Sequence, residues 1–363
     1  MTFGKLSGLD ADHPLLTAFS PLALDRLTSC PDITDDFPAF FFILNGEGQI
    51  VCSSKALPDS LWLRKEKFRW AWTGGIFTIE SHRGKGLATL LVRESNKVLH
   101  QKSIGRGTVF SRDMVLHIYE KLGYSLPGFA ARYLMVKSLR PFLEAHIKVK
   151  PLVRGLNKLS HPIIRLFFQH WYGRKGSDLP DIGITRLPLH LDITAYDGFP
   201  DIYHPTDFHF DQGFLKLVWK VNVSNANRDN DCRIYVLTES GFTQPLGYFV
   251  VRFKEQKEPI GGRYNNFKMM TLMDYGLFRN DNKIYWALLK EALKLFWGSD
   301  AEVLEIISNS EPFDHIIKRM GFRKIGRGMS YGFSVPSNWN LGTESRELRV
   351  WPLTHFCGDA FSF

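Results

Sequence analysis

The chain has 363 residues, of which 44 % are hydrophobic and 23 % are charged, and its formal net charge is +9. This length is about twice that of an average domain, so two domains with separate cores are expected. No apolar run reaches the roughly 18 residues that a membrane-spanning helix needs, and the N-terminus has no basic-then-apolar signal pattern. We therefore expect a globular cytoplasmic protein and exclude fibrous, disordered and membrane-spanning classes.

The first third of the chain is predicted to form strands first and then alternating helices and strands. The turn signature Asn45-Gly46-Glu47-Gly48 predicts a β-hairpin. The strand at 68–79 is long and mostly apolar, which is typical of a central position in a sheet. Further strands are predicted at 37–44, 50–53, 107–111 and 129–136, and helices near 22–27, at 86–102 and at 114–122.

The sequence GIFTIESHRGKGLATLLVRE, which starts at Gly75, reads as a strand, a glycine-rich turn and an amphipathic helix. Without a Cβ atom, Gly84 and Gly86 allow several backbone N–H groups to point inward at an anion. Arg83 and Lys85 add two full positive charges. This pattern favours a phosphate site, and the alternative is an ordinary strand-to-helix turn with two exposed cations.

Two motifs in this region resemble those of the GCN5-related N-acetyltransferases (GNAT). Arg83-x-x-Gly86-x-Ala88 is similar to the coenzyme-A-binding motif of that superfamily, and the stretch from His117 to Tyr124, HIYEKLGY, is similar to its second signature. A predicted strand at 108–111 separates the two motifs. The resemblance implies an α+β fold with a mixed, mostly antiparallel sheet flanked by helices.

The same resemblance implies that acetyl-CoA, or another acyl-CoA, binds as co-substrate without a metal. Its pantetheine arm would add to the strand backbone at 76–78, and Tyr119 would be the general acid that protonates the departing thiolate. The alternative for Tyr119 is a packing aromatic. The implied donor-binding residues are Ile76, Phe77, Thr78, Arg83, Gly84, Lys85, Gly86, Leu87, Ala88 and Thr89.

The sequence leaves the general base open. Glu80 and His82 flank the turn and are suitable in type, although turn residues commonly just face solvent. Asp113, His117 and, by analogy with some tandem relatives, the carboxylate of the terminal Phe363 are further candidates. Many superfamily members carry Asn seven residues before the catalytic tyrosine, where this chain has Arg112, so a contact to the donor arm is in question at that position.

A basic segment follows, with nine Lys or Arg between Lys137 and Lys175 against the single acid Glu144. Apolar residues recur there every three or four positions, and Pro151 and Pro162 predict a break into two or three short helices. We interpret residues 139–178 as a basic helical linker whose apolar face packs on one or both domains. A membrane-surface helix is the alternative, and no nucleic-acid partner is expected because no binding module is recognisable.

A second domain is predicted from Leu179 onward. Strands are expected at 232–238, 246–253, 267–277, 303–308 and 328–335, and helices at 284–297 and 312–320. An ungapped shift of 198 residues lays several elements of the first half on the second, for example Leu122-Gly123-Tyr124 on Met320-Gly321-Phe322. We predict two tandem GNAT folds at 1–138 and 179–363.

The same shift places Asp281 opposite Arg83, Ile284 opposite Gly86 and Trp286 opposite Ala88. A carboxylate, a branched side chain and an indole would repel or obstruct a pyrophosphate. We therefore expect the second copy to keep the fold and to have lost the donor site.

The four cysteines, Cys30, Cys52, Cys232 and Cys357, lie far apart, without Cys-x-x-Cys pairs or histidine-rich partners at metal-ligand spacing. We expect neither disulfides nor a metal site.

The leading functional hypothesis is an acyl-CoA-dependent N-acyltransferase, with acetyl-CoA as the expected donor and a small-molecule or peptide amine as acceptor. One alternative is a regulatory protein that binds acyl-CoA without turnover. Another is an acyltransferase that takes its acyl group from a carrier protein or a tRNA. The sequence identifies neither the acceptor nor the oligomeric state.

Overall fold

The computed structural model describes residues 1–7, 29–63, 66–110, 115–147, 149–175, 182–187, 208–210, 213–227, 229–239, 244–257, 266–279, 281–341 and 354. The chain forms two compact units. Unit 1 consists of Met1–Ala130, His204–Val223 and Arg327–Phe363, and unit 2 consists of Ala131–Tyr203 and Ser224–Gly326.

Strands and helices are numbered here in chain order. The strands are β1 (Thr2–Ser7), β2 (Pro38–Leu44), β3 (Ile50–Leu63), β4 (Glu66–Thr78), β5 (Gly105–Phe110), β6 (Ser125–Val136), β7 (Ile182–Arg186), β8 (Phe208–Phe210), β9 (Asn230–Glu239), β10 (Pro245–Gln256), β11 (Phe267–Leu277), β12 (Val303–Ser308) and β13 (Arg323–Ser334). The helices are α1 (Leu87–Gln101), α2 (Leu116–Lys121), α3 (Arg140–His146), α4 (Lys150–Lys175), α5 (Phe214–Asn225), α6 (Asn282–Gly298) and α7 (Glu311–Arg319).

In unit 1 the strand order is β1-β2-β3-β4-β5-β13, with β8 also paired to β3. Every pair is antiparallel except β4 with β5. The hairpin predicted at Asn45 is confirmed, because the Asn45 side chain accepts hydrogen bonds from the backbone N–H groups of Glu47 and Gln49. Aromatic side chains fill this core, where the ring centroids of Trp72 and Phe210 lie 4.6 Å apart.

Strand β3 is much longer than the sequence predicts, because it continues through Pro58-Asp59-Ser60, a typical turn signature. Its partner β2 covers β3 only up to Lys55, and β8 pairs with it only from Leu61. Pro58 is opposite Ala71 of β4, but on the other side of β3 it lies in the interval between β2 and β8, so its missing N–H leaves no ladder hydrogen bond unmade on that side. Asp59 is held in the strand by buried partners, as described below.

In unit 2 the strand order is β6-β12-β11-β10-β9-β7. Only β11 and β12 are parallel. Helix α6 buries one face on this sheet through Ile284, Leu288 and Phe296, and α7 adds Phe313 and Ile317. The strands of the two units thus share one order: a hairpin, a long central strand, its parallel neighbour, and a final strand.

The last strand in the order of each unit does not come from the stretch of sequence that forms the rest of that unit. Residues Ala131–Val136 of β6 pair with β12 inside unit 2, whereas Ser330–Ser334 of β13 pair with β5 inside unit 1. Each unit therefore takes its last strand from the other half of the sequence. The boundaries at 138 and 178 stay a prediction about the linear organisation of the chain.

Most predicted elements of the two sheets are confirmed, and the bounds of β11 and β12 agree with the prediction to the residue. The sequence did not reveal β1, β7, β8 or α5. The helix predicted near 22–27 lies outside the described residues.

The basic segment forms α3 and one long helix, α4, in place of several short helices. Pro151 lies in the first turn of α4, where its missing N–H has no intrahelical partner to lose. Pro162 lies inside α4, and the helix continues through it, so the predicted break at this residue is wrong. Among the described residues, no helix is long and apolar enough to cross a membrane.

The cysteines within the described part of the chain, Cys30, Cys52 and Cys232, are free and buried. Burial raises the pKa of the Cys30 and Cys232 thiols to about 11. They are therefore protonated core residues near neutral pH. Cys357 lies outside the described residues.

Candidate functional site

The central feature of unit 1 is a gap that opens between the parallel strands β4 and β5. They pair only where Trp70–Trp72 face Gly105–Gly107. Beyond this point β5 continues along β13, and β4 continues along β3 as far as Thr78. Within the described residues, the β5-facing edge of β4 is therefore unpaired over Thr73–Thr78. Its backbone groups are available to an extended ligand that adds as a strand.

The glycine turn lies at the end of this open edge. Gly84 and Gly86 have φ angles of 74° and 75°, and Gly86 is the N-cap of α1. Apart from the adjacent residues, no atom of the described part of the chain lies within 4 Å of the place where a Cβ would stand at either glycine. No side chain within the described ranges caps α1, so the N–H groups of its first turn are available to an external acceptor. An open cradle of this kind suits a phosphate.

Some residues of the turn are buried and hold its position, whereas others are exposed and available to a ligand. Leu87 is buried and fixes the start of α1, and Ala88 packs at the edge of the cluster around Val92. Arg83 and Lys85 are exposed, and the Arg83 guanidinium Nε donates a 3.2 Å hydrogen bond to the Thr78 carbonyl. The turn is thereby tied to the end of β4. Of the predicted strand contacts, Phe77 is 56 % exposed, and Ile76, Thr78 and the helix residue Thr89 are half-buried.

Tyr119 lies on α2 and is buried, with its ring stacked on Phe110 at a centroid distance of 5.4 Å. Its hydroxyl accepts a 3.3 Å hydrogen bond from the Thr108 hydroxyl. Thr108 follows directly after Gly107, the last residue of β5 that pairs with β4. The phenol therefore lies beside the point where the two strands separate. In the described part of the chain its hydroxyl accepts this bond and donates none, so its proton is available to a bound group.

A fully buried arginine, which the sequence analysis did not single out, joins the elements that form this site. The Arg106 Nε donates to the Thr73 hydroxyl on β4 at 2.7 Å. Its Nη1 donates to the Val92 carbonyl, the Ser95 hydroxyl and the Asn96 side-chain oxygen on α1. Arg106 thus connects α1 to both strands of the gap. A strand of sequence GRGTVF, with Arg between two glycines, is the only signal that could have indicated it.

The candidate bases are not brought together by the fold. Glu80 and His82 lie in a single 3₁₀ turn before Arg83, where Glu80 is exposed and the His82 Nδ1 lies 3.0 Å from the Ser81 hydroxyl. His117 is exposed on α2. Arg112, Asp113 and Phe363 lie outside the described residues. In the part of the chain that is described, no group of His, Cys, Asp and Glu is arranged to hold a metal ion.

The corresponding region of unit 2 is built differently. Asp281 is the N-cap of α6, and its carboxylate accepts a 2.8 Å hydrogen bond from the Lys283 N–H. The ungapped shift therefore misplaces the start of this helix, because Asp281 and not Ile284 occupies the position of Gly86. Where β11 passes beyond β12, the Tyr275 hydroxyl lies 3.2 Å from the Ser308 hydroxyl and the Tyr275 ring packs on Phe313.

Residues 36–126 match the sequence pattern of the acetyltransferase (GNAT) domain. This segment belongs to the GNAT superfamily. The match begins just before β2 and ends in β6, so it contains the glycine turn, α1 and α2. We call residues 36–126 the GNAT segment. A search of curated protein sequences finds no match.

Solved structures resemble the chain well beyond the GNAT segment. Saccharomyces cerevisiae N-myristoyltransferase with bound myristoyl-CoA aligns with a TM-score of 0.55 at 9 % identity, covering 92 % of this chain and 83 % of that chain. A probable N-acyltransferase from Enterococcus faecalis V583 aligns with a TM-score of 0.57 at 10 % identity, covering 91 % and 72 %. Eis1 from Mycobacterium abscessus aligns with a TM-score of 0.53 at 12 % identity, covering 92 % and 74 %. These identities establish likeness of fold only.

Proposed function

We propose that this chain is an acyl-CoA-dependent N-acyltransferase that transfers an acetyl group to an amine. The observation that carries the proposal is the continuity of two features of unit 1: the unpaired edge of β4 and the open glycine turn at the start of α1. The first suits an extended amide-containing arm, and the second suits a pyrophosphate. An acyl-CoA carries both groups in one molecule.

The donor would be held mainly by backbone. The N–H groups from Gly84 to Thr89 would bind the pyrophosphate, and the positive end of the α1 dipole would add to their attraction. Arg83 and Lys85 would contribute charge at the rim. The pantetheine arm would hydrogen-bond to Ile76, Phe77 and Thr78 in the manner of an added strand.

The transfer itself requires a neutral amine, whose nitrogen attacks the thioester carbon while the carbon–sulfur bond breaks. Tyr119 would donate its phenolic proton to the departing sulfur, and the bond from Thr108 would orient the hydroxyl. The proton lost by the amine goes to a base, for which we propose Glu80 because it lies in the turn between the open edge and the glycines. Its exposure also allows relay through water.

We further propose that unit 2 is a second GNAT copy without a donor site. The strand order that the two units share supports a duplicated fold. The Asp281 carboxylate occupies the helix start that a phosphate would need, and like charges repel. We keep the proposed boundaries at 1–138, 139–178 and 179–363, and a cytoplasmic location stays a prediction.

The experiment that tests the activity measures free thiol released from acetyl-CoA over a panel of small and peptide amines. We expect amine-dependent release by the wild type. Tyr119→Phe should lower kcat by about 10²-fold with little change in acetyl-CoA affinity, because only the proton donor is removed. Tyr124→Phe is the matched control, since its hydroxyl donates to Asn96 in the same cluster.

The outcomes separate this function from its alternatives. Tight acetyl-CoA binding without thiol release on any amine would indicate a non-catalytic acyl-CoA-binding protein. Absence of acetyl-CoA binding, with transfer from an acylated carrier protein or an aminoacyl-tRNA, would indicate another donor class. Equal rates for Tyr119→Phe and Tyr124→Phe would remove the assignment of Tyr119 as the acid.

A further inference from the structure

Helix α4 carries a row of apolar side chains that face away from unit 2. Val149, which directly precedes the helix, and Leu152, Leu156, Leu159, Ile163 and Leu166 are spaced by alternating steps of three and four residues. Such spacing places them on one side of a helix. All six are exposed, Leu159 by 69 % and Ile163 by 67 %. We call these six residues the α4 stripe.

The opposite side of the helix is cationic. Arg154 and Lys158 are four residues apart, and helical geometry places them on the side away from the α4 stripe. A cavity of about 450 Å³ lies beside α4 and is lined by Arg140, Arg154, Asn157 and Lys158. Glu302 and Glu144 pair with Arg140. Among the described residues, no carboxylate pairs with Arg154 or Lys158.

A third side of α4, which carries Val153 and Asn157, contacts the rest of unit 2. Val153 is 2 % exposed, and the Asn157 side-chain oxygen accepts hydrogen bonds from the Ser138 hydroxyl and the Arg140 N–H. These contacts hold the orientation of α4 within its unit. They leave the α4 stripe uncovered, in contrast to the expectation that the apolar face of the segment packs on the domains.

We propose that α4 docks on an anionic lipid surface, with the α4 stripe inserted at the boundary of the acyl chains. A helix is about 10 Å across, and amphipathic helices enter the headgroup boundary by about 5–10 Å. At that depth the cationic side of α4 lies at the level of the lipid phosphates. Charge complementarity therefore supports an anionic bilayer as the partner.

A second copy of the chain fits this surface less well, although the stripe has the spacing of a coiled-coil seam. The segment from Lys137 to Lys175 carries nine cations and one acid, so two such segments repel each other. The positions that flank the seam, including Gly155 and Pro162, offer no complementary charges. A zwitterionic lipid surface has no net charge, so it attracts Arg154 and Lys158 less strongly than an anionic surface does.

The test is flotation of the purified full chain with phosphatidylcholine vesicles, with and without phosphatidylglycerol, at low and high salt. We expect co-flotation only with the anionic vesicles and a decrease at high salt. The double variant Leu159→Asp/Ile163→Asp should lower the partition coefficient at least about tenfold, because two inserted side chains become charged. The variant Arg154→Glu/Lys158→Glu should remove the preference for anionic lipid.

Leu215→Asp is the matched control, because Leu215 is also an exposed apolar residue on a helix, 44 % exposed on α5, and it should float like the wild type. Circular dichroism of each variant separates loss of docking from loss of fold. Failure of the folded wild type to float with anionic vesicles overturns the proposal, as does undiminished flotation of Leu159→Asp/Ile163→Asp. A dimer in light scattering that the same double variant dissociates would assign the stripe to a second copy instead.

Discussion

At the scale of single residues, unit 1 depends on charged side chains that are buried and that hydropathy alone would place on the surface. Lys216 on α5 is 5 % exposed and donates to the carboxylates of Asp59 and Asp32. Asp59 also accepts a 2.7 Å hydrogen bond from the Trp72 indole. This arrangement explains why the Pro-Asp-Ser stretch of β3 remains in the sheet, since the Asp59 carboxylate has its partners there.

Removal of one partner from this buried pair should be costly. Asp59→Asn leaves the Lys216 ammonium partly uncompensated, and we expect the free energy of unfolding to fall by about 3 kcal/mol or more. The exposed pair of Lys257 and Asp229 provides the control, because Asp229→Asn should change little. Denaturant unfolding of both variants measures the difference, and equal effects would contradict the account.

The same pair gives a pH dependence. Burial disfavours the charged form of Lys216, but Asp59 and Asp32 outweigh this effect and hold its pKa well above the ordinary value of 10.5. A raised pKa means that the folded state binds the proton more tightly, so the stabilisation is complete below pH 10.5 and is lost as pH rises through the folded value. The wild type should therefore keep this contribution unchanged from neutral pH to about pH 10. In Asp59→Asn the buried ammonium has one partner fewer, so the pKa of Lys216 is lower than in the wild type and the stability difference between the two proteins should narrow earlier as pH rises. Denaturant unfolding at a series of pH values measures both, and loss of the wild-type contribution near neutral pH would contradict this assignment.

Arg106 is the second buried charge, and its role is to position α1. Arg106→Met would remove a buried donor that Thr73, Val92, Ser95 and Asn96 share, although Asn96 keeps the bond from Tyr124 and Val92 keeps the bond from Ser95. We expect the free energy of unfolding to fall by about 3 kcal/mol. Arg106→Lys should recover only part of this, because an ammonium cannot reproduce the planar fork of donors. Arg69→Met, which removes an exposed pair with Asp36, is the control and should cost little.

At the scale of elements, the two helices that follow the central strands begin in opposite ways. Helix α1 begins at a left-handed glycine without a side-chain cap, whereas α6 begins at an aspartate whose carboxylate caps it. The first helix start is open to an anion, and the second already contains one.

This contrast predicts the behaviour of Asp281→Ala. The substitution should lower the free energy of unfolding by about 1 kcal/mol, the usual cost of losing an N-cap. It should leave acetyl-CoA binding at one site per chain, because the aromatic contacts of Tyr275 still fill the gap beyond β12. Calorimetric titration gives the stoichiometry, and a second site in wild type or variant would contradict a degenerate copy.

At the scale of the whole molecule, local sequence patterns predicted most of the strands and helices, but tertiary contacts decided which strands pair with each other. The glycine turn, the hairpin at Asn45 and the helix of 15 residues after Gly86 follow from backbone rules that act over a few residues. The partners of β6 and β13 were not predictable in this way. Apolar alternation shows that a segment is a strand, but it does not specify which neighbour in the sheet it will have.

The elements that the sequence missed share a physical cause. Strands β1, β7 and β8 are short or weakly alternating, so their existence depends on the neighbour that each one pairs with. Tyr119 was identified through a motif, whereas its bond from Thr108 and the buried Arg106 depend on how α1 and α2 pack on the sheet. Pro162 is the converse case. A proline is a strong local signal for a helix break, but α4 continues through it.

The central claim is that the glycine turn before α1 binds the donor pyrophosphate. It is tested most directly by calorimetric titration of the wild type, Gly86→Trp and Gly48→Trp with acetyl-CoA. Gly48 is the matched control, since it also has a positive φ angle, 77°, and open space around it, but it lies in the hairpin turn before β3. We predict binding by the wild type and Gly48→Trp and loss of binding by Gly86→Trp, whereas undiminished binding by folded Gly86→Trp would contradict the account.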